Sequence, residues 1–353
     1  MLFGGYAALL ASLFLMQVVL GMGLLSTFWI VFAVAVVGLC RLVLRNSGGA
    51  AEFVIHPAII LPVAAGILIA LRGHIDYLPY TVDEFTNWLG GAKTIHSNGG
   101  YAAIRETIYL PGYTPGWRLA LLLPWQIDGA MDLGRSAAAG FVLHAGLVAI
   151  MFDIVRWEAA ERLQLSSAGA AAGSWIAVLV FLAAQGTGTL WTYTLLIEQP
   201  QIYFYAGTGF LLLALRTDTD APSNTFLYIG LALAGGYLVK SATVALLPAV
   251  GLALLWLNLN NWNRARGKGV PELLRNATLA LAPALLCVVL WRGTLGDVAG
   301  GCMSSPFATL TAAALSDAFA RDWADKVVFM ENGEIVQHGA PEDVFNAPDN
   351  PRT

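Results

Sequence analysis

The chain has 353 residues, 57% of them hydrophobic and 12% charged, with a mean hydropathy of +0.66. A soluble domain carries about 25% charged residues, so this composition excludes an ordinary soluble domain and indicates a polytopic membrane protein. The net charge of −4 offers no basic surface for nucleic acid, and the three cysteines (Cys40, Cys287 and Cys302) have neither CxxC nor metal-ligand spacing.

Membrane helices need about 17 to 25 apolar residues. Runs at about 3–21, 24–43, 57–73, 136–155, 169–190, 202–215, 225–239, 241–258 and 276–292 are the expected spans, about nine in all. The first has no basic stretch before it and no clear cleavage site, so it is expected to be retained. Residues 118–127 (RLALLLPWQI) are apolar but too short to cross alone.

Orientation follows the basic residues. Arg41 and Arg45, Arg156 and Arg162, Arg216, and the cluster Arg264, Arg266, Lys268 and Arg275 lie in four connections. All four become cytoplasmic in one topology, provided that residues 118–127 do not cross. The loop 74–117 and the segment LWTYTLLIEQPQ (190–201) then share the outer face.

The outer loop carries the first polar chemistry. It offers Asp83 and Glu84 as adjacent carboxylates, then Lys93, His96 and Arg105. A carboxylate at the membrane surface can act as a base towards an acceptor. A cation or a divalent metal can meet a departing phosphate. One carboxylate can act as base while the other orients or binds a metal, so a divalent metal is left open and no cofactor is fixed by the sequence. An Asp–Glu pair in a loop equally suits a solvated surface.

The ordered segments DEFTNWLGGAK, TIYLPGYTPGWRLALLLPW, LWTYTLLIEQPQIYFYAG and GYLVKSATVALLPAV resemble the GT-C class of polytopic membrane glycosyltransferases, especially its mannosyltransferase and aminoarabinose-transferase-like branch. The likeness covers about residues 55–292. Three spans precede the loop here, where many members have one. The resemblance implies transfer of a sugar from a polyprenyl-phosphate donor at the outer face of a bacterial inner (plasma) membrane. It implies a catalytic pair, Asp83 as the acceptor-activating base with Glu84 as its neighbour. Lys240 would meet the lipid phosphate, although a lysine snorkelling at a span boundary fits the position as well. Glu198, Gln199, Arg105, His96 and Tyr113 are the remaining substrate-binding expectations. Against these stand a polar loop tip for Glu198 and Gln199, solvent-facing side chains for Arg105 and His96, and an interfacial aromatic belt for Tyr113. The expected partners are the lipid-linked donor and membrane lipid.

The composition shifts after about residue 310. Residues 318–353, AFARDWADKVVFMENGEIVQHGAPEDVFNAPDNPRT, resemble the C-terminal part of the ATP-binding subunit of polar amino acid ABC importers. Alternation around Asn332-Gly333 predicts a hairpin, and PEDVFN predicts a helix start. No phosphate-cradling GxxxxGK[ST] loop is present, so no ATP binding and no ATPase activity are expected.

The expectation is thus an all-α polytopic membrane domain over residues 1–310, followed by a short α/β soluble fragment over 311–353 that is not a complete domain. Longer members of the resembled class carry an outer C-terminal domain, so this chain is expected to be a truncated transferase, inactive if that domain is required. The alternative is a membrane transporter or permease component linked to an ABC system.

Overall fold

A computed structural model describes residues 2–45, 56–72, 83–102, 113–127, 129–185, 195–217, 223–262, 270–295, 327–331 and 334–339. The chain divides into two compact units, Met1–Thr294 and Leu295–Thr353. That division lies ahead of the composition shift near residue 310.

Among its described residues the first unit is built of helices joined by turns and short loops. In chain order it contains α1 (Leu2–Phe14), continued by a π-turn at Leu15–Val19, α2 (Leu24–Arg45) and α3 (Pro57–Arg72). A π-helical segment at Glu84–Leu89 leads into α4 (Gly90–Ser97), and α5 (Gly116–Leu122) runs into a 3-10 turn at Leu123–Gln126. Then follow α6 (Leu133–Arg162), α7 (Ser167–Gln185), α8 (Glu198–Thr217) and α9 (Ser223–Val239). A 3-10 turn at Ser241–Ala245 opens α10 (Leu246–Trp262), and α11 is Val270–Leu295.

Over most of its described residues, each of the nine expected apolar runs is helical. Among the described residues, four stretches are long and apolar enough to cross a membrane: Leu2–Val19, Leu133–Arg162, Ser167–Ala184 and Glu272–Thr294. Leu24–Gly38, Pro57–Ile67, Asn224–Val239 and Ser241–Leu257 are shorter apolar helices. Helix α8 falls in neither group; it carries Glu198, Gln199 and Gln201 in its first turn. Residues 116–126 form only α5 and its 3-10 turn. At about 1.5 to 2 Å per residue they reach well short of the roughly 30 Å hydrocarbon core.

Helix α1 is central and packs against α5, α6 and α9. Its Phe3 ring sits 5.4 Å from that of Phe204 on α8, and Leu10, Leu13 and Phe14 are fully buried. Small residues let backbones approach closely in such bundles. A Cβ at Gly230 of α9 would collide with the Leu279 carbonyl of α11. Helices α7 and α11 keep apolar faces outward, with Ile176, Leu179, Val180, Leu285, Leu286 and Val289 exposed. An apolar face of that kind is stable against lipid tails and costly against water.

Polar contacts between elements gather at two ends of the helices. At one end, Gln17 of the first π-turn is fully buried. Its Nε2 donates to Met22 O (2.8 Å) and Thr27 Oγ1 (2.7 Å), and its Oε1 accepts from Tyr101 N–H (3.2 Å). Leu24 N–H donates to Gly99 O at 2.8 Å, at the turn where Gly99 (φ +73°) ends α4. At the other end, His56 Nε2 lies 3.0 Å from Asp153 Oδ1, and Arg156 Nη2 donates to Ser167 Oγ at 3.2 Å.

In the second unit the described residues form an antiparallel hairpin, β1 (Val327–Glu331) with β2 (Glu334–Gly339). Val328 faces His338 and Glu331 faces Glu334, with an irregularity between Phe329 and Met330. The expected turn at Asn332-Gly333 lies outside the described residues, as do residues 318–326 and the PEDVFN segment.

Candidate functional site

The loop expected over 74–117 is not a simple loop. Its described part from residue 83 to 97 is helical, first as a π-segment and then as α4. Glu84, Trp88, Ala92 and Ile95 are buried along one face. A single π-turn is rare and often found at functional positions. The two adjacent carboxylates at its start face different ways. Asp83 is exposed, whereas Glu84 is fully buried.

Each carboxylate has its own holder. Asn87 Nδ2 donates to Asp83 Oδ1 at 2.9 Å, one helical turn along. Glu84 Oε1 accepts the backbone N–H of Leu195 at 3.1 Å, bridging to the second outer segment. Asn87 is itself fixed from behind, because Arg118 Nε donates to the Asn87 carbonyl at 2.9 Å. The Asn87 Oδ1 and Trp88 Nε1 atoms are buried and find no partner among the described residues. A buried polar atom without a partner is costly, so both mark the π-segment as a place poised for further hydrogen bonds.

The hub of this arrangement is the short run Tyr113-Thr114-Pro115-Gly116-Trp117-Arg118. The Tyr113 ring meets Trp88 edge-on at 5.5 Å. Thr114 Oγ1 donates to Val239 O at 3.2 Å. Gly116 packs so closely on α9 that a Cβ there would fall 2.6 Å from Leu238 O. Trp117 Nε1 donates to Leu195 O at 2.7 Å. Arg118 is fully buried, and its guanidinium lies 5.8 Å from the centre of the Trp88 ring. A Cβ at Gly91 would fall 2.6 Å from Arg118 Nε, so only glycine leaves room for that side chain as placed. Burial lowers the Arg118 guanidinium to about 10, with nearby Tyr101 and Tyr113 acting in the opposite direction; it stays cationic at neutral pH. Six consecutive residues therefore fasten the carboxylate helix, the 195–198 segment and the end of α9 to one another.

Lys240 follows directly on that end of α9. Its backbone is extended (φ −145°, ψ 124°), where α9 stops and the next 3-10 turn begins. Its Nζ lies 3.1 Å from Glu198 Oε1, in the first turn of α8. Gln199, beside Glu198, is half-buried.

One expected residue stands elsewhere. His96 is half-buried, with its ring 5.5 Å from that of Trp125 and its Nδ1 3.0 Å from Gln126 Nε2. It lines a shallow cavity of about 210 Å³ with Gly23, Leu24, Leu25, Ser26, Gly99 and Gln126, and no contact joins it to Asp83 or Lys240 among those described. Arg105 lies outside the described residues. Among the described residues, no three His, Cys, Asp or Glu side chains gather as a metal-binding group.

Sequence reasoning passed over Asn87, Thr114 and Arg118. Two signals were available. Asn87 follows Asp83 by one helical turn, and Arg118 is a charge set against an apolar run, which by itself points to a specific role.

No family model matches the chain, and no solved structure matches it. A stretch of 36 residues, 10% of this chain, is 50% identical to a probable amino-acid import ATP-binding protein, YxeO, of Bacillus subtilis (strain 168). The match spans 14% of that protein's length.

Proposed function

We propose that this chain is a membrane glycosyltransferase-like protein of the GT-C kind, which transfers a sugar from a polyprenyl-phosphate donor to an acceptor at the outer face of a bacterial inner membrane. One observation carries the proposal: the segments that hold Asp83, Glu198 and Lys240 are fastened at one end of the helices by residues 113–118. Asp83 is exposed and oriented by Asn87, as suits a base that takes the proton from an acceptor hydroxyl or amine. Lys240 supplies a cation at the same end, where it meets the donor phosphate. Glu84 acts through position: its buried carboxylate fixes Leu195 and with it the segment that presents Glu198. The half-buried Tyr113 ring, backed edge-on by the buried Trp88, forms an aromatic surface beside the carboxylate helix against which a sugar ring or prenyl chain packs. All nine apolar helices cross the membrane in this account, with residues 116–126 remaining at the outer boundary.

The hairpin and its flanks are, in this proposal, a fragment of the ABC-importer ATP-binding kind joined to a truncated transferase. The 36-residue likeness to an import ATP-binding protein supports that origin. The same likeness favours a second function, a permease component linked to an ABC system. Reconstituted protein separates them. A transferase moves sugar from a lipid-linked donor and loses that activity in Asp83→Asn, whereas a permease moves solute into proteoliposomes that contain no such donor.

A further inference from the structure

Glu198 was expected to touch substrate, yet its carboxylate is engaged with Lys240. The root of Lys240 is well fixed. Its N–H donates to Gly236 O at 2.8 Å, its carbonyl accepts from Thr243 N–H at 3.0 Å, and the carbonyl just before it accepts from Thr114. The tip is not fixed by packing: the Lys240 and Glu198 side chains are 32% and 49% exposed. An ion pair this open to solvent contributes little stability and is easily exchanged. Glu198 also sits in the first turn of a 20-residue helix, where the backbone dipole favours a carboxylate whether or not a lysine is present. Releasing the lysine therefore leaves Glu198 in a favourable place.

We propose that Glu198 is a displaceable counter-ion: it holds Lys240 until a phosphate takes its place, and its remaining charge then sets how tightly that phosphate stays. This rests on Lys240 as the phosphate-binding cation. The charge has a directional consequence. A lipid-linked sugar donor is a phosphodiester with one negative charge, whereas the prenyl phosphate left after transfer is a monoester of about −1.5 to −2 at neutral pH. Glu198 repels the product more than the donor and so favours its release. At a separation of about 6 Å in near-aqueous surroundings, each unit of phosphate charge feels about a threefold change in affinity.

The test uses the full chain in phosphatidylcholine nanodiscs, titrated with geranyl phosphate, methyl geranyl phosphate and inorganic phosphate. Glu198→Gln is expected to tighten geranyl phosphate by about five- to tenfold and the methyl diester by about threefold, with unchanged thermal stability. In a Lys240→Gln background, the direct exchange between the two side chains is gone, and Glu198→Gln should give a smaller gain than it gives with Lys240 present. Geranyl phosphate bound more tightly than inorganic phosphate supports a lipid source, and equal affinities overturn it. If Lys240→Gln binds geranyl phosphate as well as the parent protein does, Lys240 is not the phosphate cation. If Lys240→Gln weakens binding but Glu198→Gln fails to tighten it, or tightens both esters equally, Lys240 keeps its role and the counter-ion proposal is overturned.

Discussion

Glu84 is the residue whose replacement separates positioning from chemistry. Its carboxylate is fully buried and accepts the Leu195 N–H at 3.1 Å. Leaving a buried N–H without its acceptor costs about 1 to 3 kcal/mol. Glu84→Ala removes that acceptor and opens a small void, so it should lower stability by at least that amount, a fall of several degrees in Tm for a unit of this size. Glu84→Gln retains an acceptor oxygen of nearly the same shape and should recover most of the loss. The assay is tryptophan-fluorescence unfolding in detergent, with Trp117 near the site because its Nε1 donates to the Leu195 carbonyl. The two contacts hold the same residue, so Glu84→Ala and Trp117→Phe should be non-additive by about 0.5 kcal/mol or more. Equal stability of Glu84→Ala and the parent protein would refute the account, because a carboxylate that could be lost without effect would not be joining the two segments.

Three further outcomes are expected. Gly116→Ala should destabilise the protein by about 1 to 3 kcal/mol, since its methyl group meets the Leu238 carbonyl rather than a movable side chain; unchanged thermal unfolding would mean that α5 and α9 are not so close. Arg118→Met should lower the rate of transfer more than it lowers Tm, through loss of the bond that fixes Asn87, and a fall in Tm with full activity per folded molecule would contradict that link. In a cysteine-free background, Lys93→Cys on the exposed side of α4 should react with a membrane-impermeant maleimide from outside intact cells. Reaction only from the cytoplasmic side would invert the topology.

The helical framework was largely legible because long apolar helices have a length and composition that few other elements share. Each of the nine apolar runs falls on a helix, although α6 continues to Arg162 and α11 begins at Val270, well outside the runs expected at 136–155 and 276–292. The short reach of residues 118–127 was equally visible from their number. The helix across Asp83–Ser97 was obscured by its polar character and by the paired Gly90-Gly91, which lower helix propensity. Only the spacing of Glu84, Trp88, Ala92 and Ile95 betrayed it, and the π-turn disturbs even that register. Asp83 and Glu84 were legible as a pair, but not the division between them. One faces out and the other in because successive residues on a helix lie about 100° apart. Lys240 and Glu198 were each recognisable as charges at helix ends. Their pairing was not, since it depends on how α8 and α9 pack rather than on any local pattern. Arg118 belonged to a run read as apolar, and its role emerged only once Asn87 and Trp88 lay against it.

The central claim is that Asp83 is a catalytic base for sugar transfer from a lipid phosphate. Asp83→Asn keeps the size of the side chain and an acceptor oxygen for Asn87, so folding should be preserved. Transfer of labelled sugar from a polyprenyl-phosphate donor by the reconstituted full chain should fall by about 10²- to 10⁴-fold, with an unchanged Tm. Transfer at the parental rate by a folded Asp83→Asn protein would contradict the account.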